Sequence, residues 1–200
     1  MPKELNIIVG GNGSGKSTFY YRFLAKRSLP FLNADELAKE KWPDDPESHS
    51  YEAAKKIEGK RRLFLASGQS FCFETVFSHV SKVDFIGLAK SYGYNINLFV
   101  IHIDSDPLAN IARVKNRQDH GGHGVPDNKV TDRIPRMLEN VAKAVPLCDT
   151  VSFFDNTSST RPFSRVAVLF THRTLHRTQV LPEWAQKCIG AHYTRVKYFA

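Results

Sequence analysis

Residues 10–17 of the chain read Gly10-Gly11-Asn12-Gly13-Ser14-Gly15-Lys16-Ser17. They match the pattern G-x-x-x-x-G-K-[ST], and they lie between a short apolar run at residues 5–9 and a stretch at residues 18–24 that reads as the first turns of a helix. A strand–loop–helix of this kind places backbone N–H groups and a helix N-terminus around an anion. The sequence therefore predicts a phosphate-binding loop that holds a nucleoside triphosphate.

The side chains of this loop have separate expected roles. Lys16 is expected to reach the β- and γ-phosphates, and the Ser17 hydroxyl is expected to ligate Mg²⁺. The other loop residues predicted to contact the nucleotide are Gly10, Asn12, Gly13, Ser14, Gly15 and Thr18.

The composition is that of an ordinary globular protein. Of the 200 residues, 42% are hydrophobic and 24% are charged, and no apolar run approaches the length of a membrane span. The three cysteines, Cys72, Cys148 and Cys188, are scattered, which favours reduced thiols over disulfides or a metal site. We expect a single cytoplasmic domain over residues 1–200 without membrane association.

The net charge suits an anionic ligand. The chain has 28 basic and 20 acidic residues, a formal net charge of +8. A nucleotide, a nucleic acid or an acidic protein would each complement such a charge. Because a phosphate-binding enzyme needs several cationic side chains for its nucleotide, nucleic acid is not an expected partner on this basis.

Strand-like and helix-like patterns alternate along the chain. Apolar β-type runs occur at residues 29–33, 70–76, 95–103 and 150–156. Helical spacing occurs at residues 50–67, 80–91, 108–118 and 127–144. This alternation predicts a three-layer α/β fold with a mainly parallel central sheet and helices on both faces. We expect the run at 95–103 to be a central strand.

The C-terminal part gives weaker signals. Residues 165–172 read as a strand that pairs as a hairpin at the edge of the sheet, and a short closing helix follows residue 181. Residues 157–200 are therefore treated as a C-terminal extension.

Acidic residues follow the predicted second and third strands. Ligands bind outside the carboxyl ends of the strands in such sheets, so Asp35 and Glu74 are expected at the site, the latter for contact with substrate or with Mg²⁺ through water. The alternatives are that Asn33 or Asp35 caps the following helix and that Glu74 is an edge charge facing solvent. Asp104 ends the fourth strand as in a Walker B element, but Asp106 before Pro107 favours a helix start, which we prefer.

Two helices with a glycine-rich loop between them predict a lid over about residues 113–136. Arg117 and Arg133 flank the loop at 119–126 and are expected to face transferring phosphate, whereas Arg113 and Arg136 fit a solvated helix face equally well. Pro135 is expected to disturb the second lid helix. The loop histidines lack partner ligands at metal-binding spacing, so no metal site is expected there.

With these motifs in order, the chain resembles the zeta-toxin-like branch of P-loop kinases. The resemblance covers roughly the first 156 residues. It is carried by residues 10–17, Asn33-Ala34-Asp35, Phe73-Glu74-Thr75, Gly121-Gly122-His123-x-Val125-Pro126 between Arg117 and Arg133, and Asp155-Asn156.

The resemblance implies ATP-dependent phosphorylation of a hydroxyl group on a small metabolite, such as a UDP-amino sugar, with Mg²⁺ as cofactor. It implies that Asp35 is the base and that Lys16, Arg117 and Arg133 stabilise the phosphates. It also implies that Asn33, Glu74 and Thr75 contact the substrate and that Asn156 lies at the nucleotide.

An antitoxin protein is an implied partner. The alternatives that the residues leave open are a nucleoside or nucleic-acid-end kinase, and an ATP-binding regulatory module without transfer activity.

Overall fold

The computed structural model describes residues 2–104, 108–119, 126–171 and 173–199, with the backbone alone for residues 117–119. The strands are β1 (Glu4–Val9), β2 (Phe31–Leu32), β3 (Phe71–Thr75), β4 (Asn95–His102), β5 (Thr150–Asp155), β6 (Ser164–Phe170), β7 (Thr174–Arg177) and β8 (Arg195–Tyr198). The helices are α1 (Lys16–Phe19), α2 (Ala34–Lys41), α3 (Ser50–Ser67), α4 (Ser81–Ser91), α5 (Leu108–Asp119), α6 (Asp127–Ala144) and α7 (Glu183–Ile189). Helix α1 continues as a π-helical turn over Tyr20–Leu24 and a 3₁₀ turn over Ala25–Arg27.

The strands form one sheet in the order β2-β3-β1-β4-β5-β6-β7-β8. The first five strands in this order are parallel, β6 is antiparallel to both β5 and β7, and β8 is parallel to β7. The prediction of an α/β fold with a mainly parallel sheet and β4 in a central position is therefore confirmed.

Both faces of the parallel part are covered. All of β1 except Glu4 is buried, as expected for a parallel strand with helices on each side. Because successive side chains alternate between faces, Ile7 enters the larger core cluster, which includes residues of α4, α6 and α7, whereas Ile8 enters a smaller cluster with Phe19 of α1. This arrangement gives the predicted three layers.

Helix α6 is continuous across Pro135, so the expected disturbance is wrong. An interior proline costs about 3 kcal/mol or more in an exposed helix, because it removes one hydrogen bond and crowds the preceding turn. Here a buried stripe that includes Val130, Ile134, Met137 and Val141 packs the helix into the core. Tertiary packing of the apolar face therefore outweighs the local penalty.

The C-terminal extension differs from its prediction. Strand β6 is an interior strand, because β7 and β8 continue the sheet beyond it. The sequence did not predict β7 or β8, since each has four residues, and every residue of β8 is exposed, which leaves no apolar alternation to detect. The closing helix is present as α7, and it buries Trp184, Ala185 and Cys188.

Helix α3 begins and ends where the sequence predicts. Gly68 ends it in the left-handed conformation with φ of 70°, and its N–H donates to the Leu65 carbonyl. Among the described residues, no helix is both long enough and apolar enough to cross a membrane.

Two glycines of this region should respond to alanine substitution with opposite signs. Gly68→Ala forces a side chain into the left-handed region and should lower the free energy of unfolding by about 1 kcal/mol. Gly59→Ala, inside α3, adds a Cβ with nothing within 4 Å and should raise it by about 0.5–1 kcal/mol. Urea unfolding of the two variants measures both changes, and equal signs would contradict the capping role of Gly68.

Candidate active site

The loop between β1 and α1 can form only with glycine at its close contacts. Gly13 and Gly15 have φ of 74° and 94°, values that favour glycine. A Cβ on Gly10 would lie 2.4 Å from the Ile101 carbonyl oxygen, and a Cβ on Gly13 would lie 2.6 Å from that of Asn110. In this conformation consecutive N–H groups form an anion-binding concavity at the start of α1.

Two buried asparagines hold the loop from outside. The Asn110 side-chain N–H group donates to the Asn12 carbonyl at 2.8 Å, and that of Asn156 donates to the Ser14 carbonyl at 2.8 Å. The Asn156 side-chain oxygen accepts a hydrogen bond from the Phe163 N–H. Asn156 lines the cleft, and it fixes the loop's backbone through its side-chain N–H group. Asn110 was not predicted as a site residue. Its position next to the apolar residues of α5 is a sequence signal that could have indicated a buried polar contact.

Ser17 and Glu74 are in direct contact. The Ser17 hydroxyl donates to Glu74 Oε1 at 3.0 Å, and the second carboxylate oxygen is buried without a hydrogen-bond partner. Burial raises the pKa of Glu74, while the charge of Lys16 and the hydrogen bond from Ser17 lower it, and the charges of Asp35 and Glu36 raise it further. A carboxylate oxygen in this state, beside the loop serine, fits a divalent cation better than it fits the protein alone.

Lys16 extends along the loop that carries it. Its ammonium group donates to the Gly11 carbonyl at 3.0 Å, at the start of the same loop. Together with Ser17 and the glycine backbone, it gives a donor set that fits a nucleoside triphosphate with Mg²⁺. Among the described residues, no group of three or more His, Cys, Asp or Glu side chains could hold a metal ion.

In the segment after β2, one residue caps α2 and a different residue, an acid, faces the open cleft. Asn33 is the N-cap of α2, because its side-chain oxygen accepts hydrogen bonds from the N–H groups of Asp35 and Glu36. Glu36 accepts a hydrogen bond from the Tyr21 hydroxyl. Asp35 is exposed and lines the cleft. Of the two acids in this first turn, Asp35 is therefore the one that faces the open site.

A cleft of about 780 Å³ brings most of the predicted residues together. The predicted site residues that line it are Asn12, Gly13, Gly15, Lys16, Ser17, Thr18, Asn33, Asp35, Glu74, Thr75, Arg133 and Asn156. Gly10 and Ser14 are buried behind this surface. Asp104 is exposed at the end of β4 and is not part of the lining, and Asp106 lies outside the described residues.

The arginines of the predicted lid are only partly described. Arg133 donates to the Asn12 side-chain oxygen at 3.4 Å, and Arg113 donates to the Thr157 carbonyl at 3.3 Å. Both line the cleft, so Arg113 lies at the site and not on a solvated face. Arg136 bonds to the Asp132 carbonyl on its own helix. The Arg117 side chain and the glycine-rich residues 120–125 lie outside the described residues.

The fold and this loop define a P-loop protein of the nucleotide-binding, kinase-like class. The chain belongs to the AAA domain family, whose model matches residues 5–143. A protein of Haemophilus influenzae is 29% identical over 133 residues, which are 66% of this chain and 94% of the relative.

Solved structures share the fold at low identity. A structure of the PezAT chromosomal toxin–antitoxin system of Streptococcus pneumoniae matches with a TM-score of 0.60 and 14% identity, over 84% of this chain and 71% of that chain. A structure of AvrRxo1-ORF1:-ORF2 with ATP matches with a TM-score of 0.66 and 20% identity, over 85% of this chain. The match spans 59% of the AvrRxo1 chain, so this protein corresponds to only part of it.

The hydrogen bond from Asn156 to the loop can be tested without changing side-chain size. In Asn156→Asp the Phe163 N–H keeps its acceptor, but the Ser14 carbonyl loses its donor and meets a negative charge. Loss of a buried hydrogen bond costs about 1–3 kcal/mol, so affinity for a non-hydrolysable ATP analogue should fall about 5- to 150-fold by calorimetry. Asn128→Asp, on the exposed start of α6, is the matched control and should bind normally. Unchanged binding by Asn156→Asp would show that the hydrogen bond from Asn156 to the Ser14 carbonyl does not support nucleotide binding.

The buried carboxylate of Glu74 should cost stability at neutral pH. Its pKa is raised above the ordinary value of 4.5, so its favourable contribution is present below 4.5 and is lost as pH rises through the folded-state pKa. Glu74→Gln removes this penalty, and its Tm at pH 7.5 should exceed that of the wild type by a margin that closes as pH falls toward 4.5. Differential scanning fluorimetry across pH measures the margin.

Glu58→Gln is the control with the opposite sign. Hydrogen bonding to Arg62 lowers the pKa of Glu58, so neutralising it should slightly destabilise the protein at neutral pH. A Tm for Glu74→Gln that stays below that of the wild type at every pH would contradict a destabilising effect of the ionised Glu74 carboxylate.

Proposed function

We propose that this protein is an ATP-dependent kinase that transfers the γ-phosphoryl group to a hydroxyl of a small, nucleotide-containing metabolite such as a UDP-amino sugar. The observation that carries the proposal is the pairing of two different acids in one cleft with a phosphate-binding loop. Glu74 is half-buried and accepts a hydrogen bond from Ser17, whereas Asp35 is exposed and open to a second substrate. A protein that only held a nucleotide would have no need of the second acid.

The donor side is served by the loop and the residues in contact with it. Lys16 and Arg133 bring positive charge to the phosphates, and Ser17 with Glu74 holds the metal ion, either directly or through water. When bound, Mg²⁺ and ATP supply the phosphoryl group and neutralise charge on it. Arg113 lines the same cleft, and Arg117 is proposed to join it from the lid.

The acceptor side is served by the start of α2 and the end of β3. Asp35 is proposed to orient the acceptor hydroxyl and to take its proton. A carboxylate is a weak base toward an alcohol, but in a loose transition state the proton leaves late, so positioning contributes most. The Asn33 side-chain oxygen caps α2, so the side-chain N–H group of Asn33 is the part proposed to contact substrate. Thr75 also lines the cleft and adds a hydroxyl group.

The comparisons support the donor and the biological setting of the proposal. ATP is present in the AvrRxo1 structure, and the PezAT structure belongs to a toxin–antitoxin system. By analogy we propose ATP as the donor and an antitoxin as a protein partner. The cleft of about 780 Å³ lies within the usual range of small-molecule sites, which favours a metabolite as acceptor over a folded protein.

The direct test is incubation with γ-labelled ATP, Mg²⁺ and a panel of UDP-sugars, nucleosides and dinucleotides, with products identified by mass. Transfer of label to one class of acceptor names the substrate class, and Lys16→Ala should abolish the transfer. Release of phosphate with no labelled acceptor anywhere in the panel would count against the kinase and favour an ATP-hydrolysing regulatory module.

Substitution of Asp35 should separate catalysis from nucleotide binding. Asp35→Asn keeps the shape of the side chain but removes the base, so kcat should fall about 10²-fold or more while the affinity for an ATP analogue stays unchanged. Glu36→Gln, in the same turn but bonded to Tyr21, is the matched control and should retain most of its kcat. Equal losses in the two variants would show that Asp35 has no special role.

A further inference from the structure

The positive charge of the chain is concentrated at its C-terminal end. Residues 157–200 contain seven lysines and arginines but a single acid, Glu183, whereas residues 1–156 contain 21 basic and 19 acidic side chains. The extension also lies beyond the residues 5–143 that match the family. The charge of the whole chain therefore comes mostly from a segment whose basic side chains do not line the cleft.

Strands β6 and β7 have one face covered by α7, and β8 extends the sheet with residues that are all exposed. The other face of β6–β8 is called the open face. The covered face carries Ala167, Leu169 and Leu175, which share the larger core cluster with Trp184 and Cys188 of α7. The opposite face follows from the register, in which Val168 pairs with His176 and His176 pairs with Lys197. Neither Val168 nor the remaining side chains of that face from β6–β8 belong to a core cluster in the described part of the chain.

This open face combines cations with aromatic rings. By register it comprises Arg165, Val168, Phe170, Thr174, His176, Arg195, Lys197 and Phe199, of which Val168 and Thr174 are buried. The His176 ring lies 5.2 Å from that of Phe170 and 6.5 Å from that of Phe199, and the Arg165 guanidinium lies 4.9 Å from the centre of the Phe199 ring. The rings are half-buried and the three basic side chains are exposed.

The charge of the open face is not balanced by acids of the described residues. None of its basic side chains forms an ion pair there. Glu183 lies on α7, behind the covered face, and pairs with Lys187, while Asp149 pairs with Lys90. An anionic partner would therefore meet uncompensated positive charge.

We propose that the open face binds single-stranded nucleic acid. Exposed cations can follow the phosphate backbone, and aromatic rings on a sheet can stack with unpaired bases. A membrane surface fits less well, because two of the large apolar side chains that the extension exposes, Val196 and Tyr198, lie on the opposite side of β8 from the open face. An acidic protein would account for the cations but not for the rings among them.

This binding is separate from the proposed phosphoryl transfer. The open face lies on strands β6–β8, beyond the parallel strands whose ends carry Ser17, Asp35 and Glu74. A failure of the nucleic-acid proposal can therefore be distinguished from a failure of the kinase proposal.

Fluorescence anisotropy with a labelled oligouridylate of about 20 nucleotides tests the proposal, since this length exceeds a typical site of 4–16 nucleotides. Binding should weaken steeply between 50 and 200 mM salt. The triple variant Arg165→Ser/Arg195→Ser/Lys197→Ser should lose about tenfold or more in affinity, and its salt slope should fall by about 2. Phe199→Leu, which keeps the charge, should weaken binding about fivefold through lost stacking.

The control removes equal charge elsewhere. Lys39→Ser/Lys55→Ser/Lys60→Ser changes three exposed lysines of α2 and α3 and should bind the oligonucleotide almost normally. Binding of an ATP analogue by all variants verifies that they fold. No oligonucleotide binding at 50 mM salt, equal losses in the two triple variants, or tighter binding to polyglutamate or phosphatidylserine vesicles than to the oligonucleotide would each overturn the proposal.

Discussion

The site depends on one steric constraint, which is the close approach of other chain segments to the phosphate-binding loop. The backbone of β4 reaches Gly10, that of α5 reaches Gly13, and the Asn156 amide would lie 2.8 Å from a Cβ on Gly15. Each approach excludes a side chain. The same segments supply the hydrogen bonds that hold the loop, because Asn110 lies on α5 and Asn156 follows β5. Glycine is needed both for the curvature of the loop and for these supports.

The contact between Ser17 and Glu74 follows from the strand order. Strand β3 lies next to β1, in a register that pairs Ile8 with Glu74 and Val9 with Thr75. The acid therefore emerges beside the loop that begins at Gly10, where burial raises its pKa. A half-buried acid with one buried, unpartnered oxygen is costly for folding alone, and such costs are typical of sites built for a charged ligand. Asp35, from the outer strand β2, remains in solvent at the same edge of the sheet.

Local patterns were sufficient for most of the fold, but not for its long-range contacts. The glycine pattern predicted the loop, helical spacing and Gly68 predicted α3 to its last residue, and the long β-type run predicted β4 as central. Pairings distant in sequence were beyond such patterns, which is why the Ser17–Glu74 bond, 57 residues apart, and the Asn156–Ser14 bond, 142 apart, were not foreseen. The prediction that Pro135 disturbs α6 was wrong because it considered only the local penalty of proline, which the packing of α6 outweighs.

The change from parallel to antiparallel pairing explains why the open face exists where it does. Parallel strands need crossover helices, and these cover both faces, so β1 is buried on each side. Strands β6 and β7 are antiparallel neighbours joined by a short connection, and such strands can leave one face in solvent. The open face accordingly lies beyond β5, on strands whose pairing does not require a covering helix on each side. The concentration of arginine and lysine in those strands, including Arg195 and Lys197 of β8, falls on the part of the sheet whose topology leaves a face uncovered.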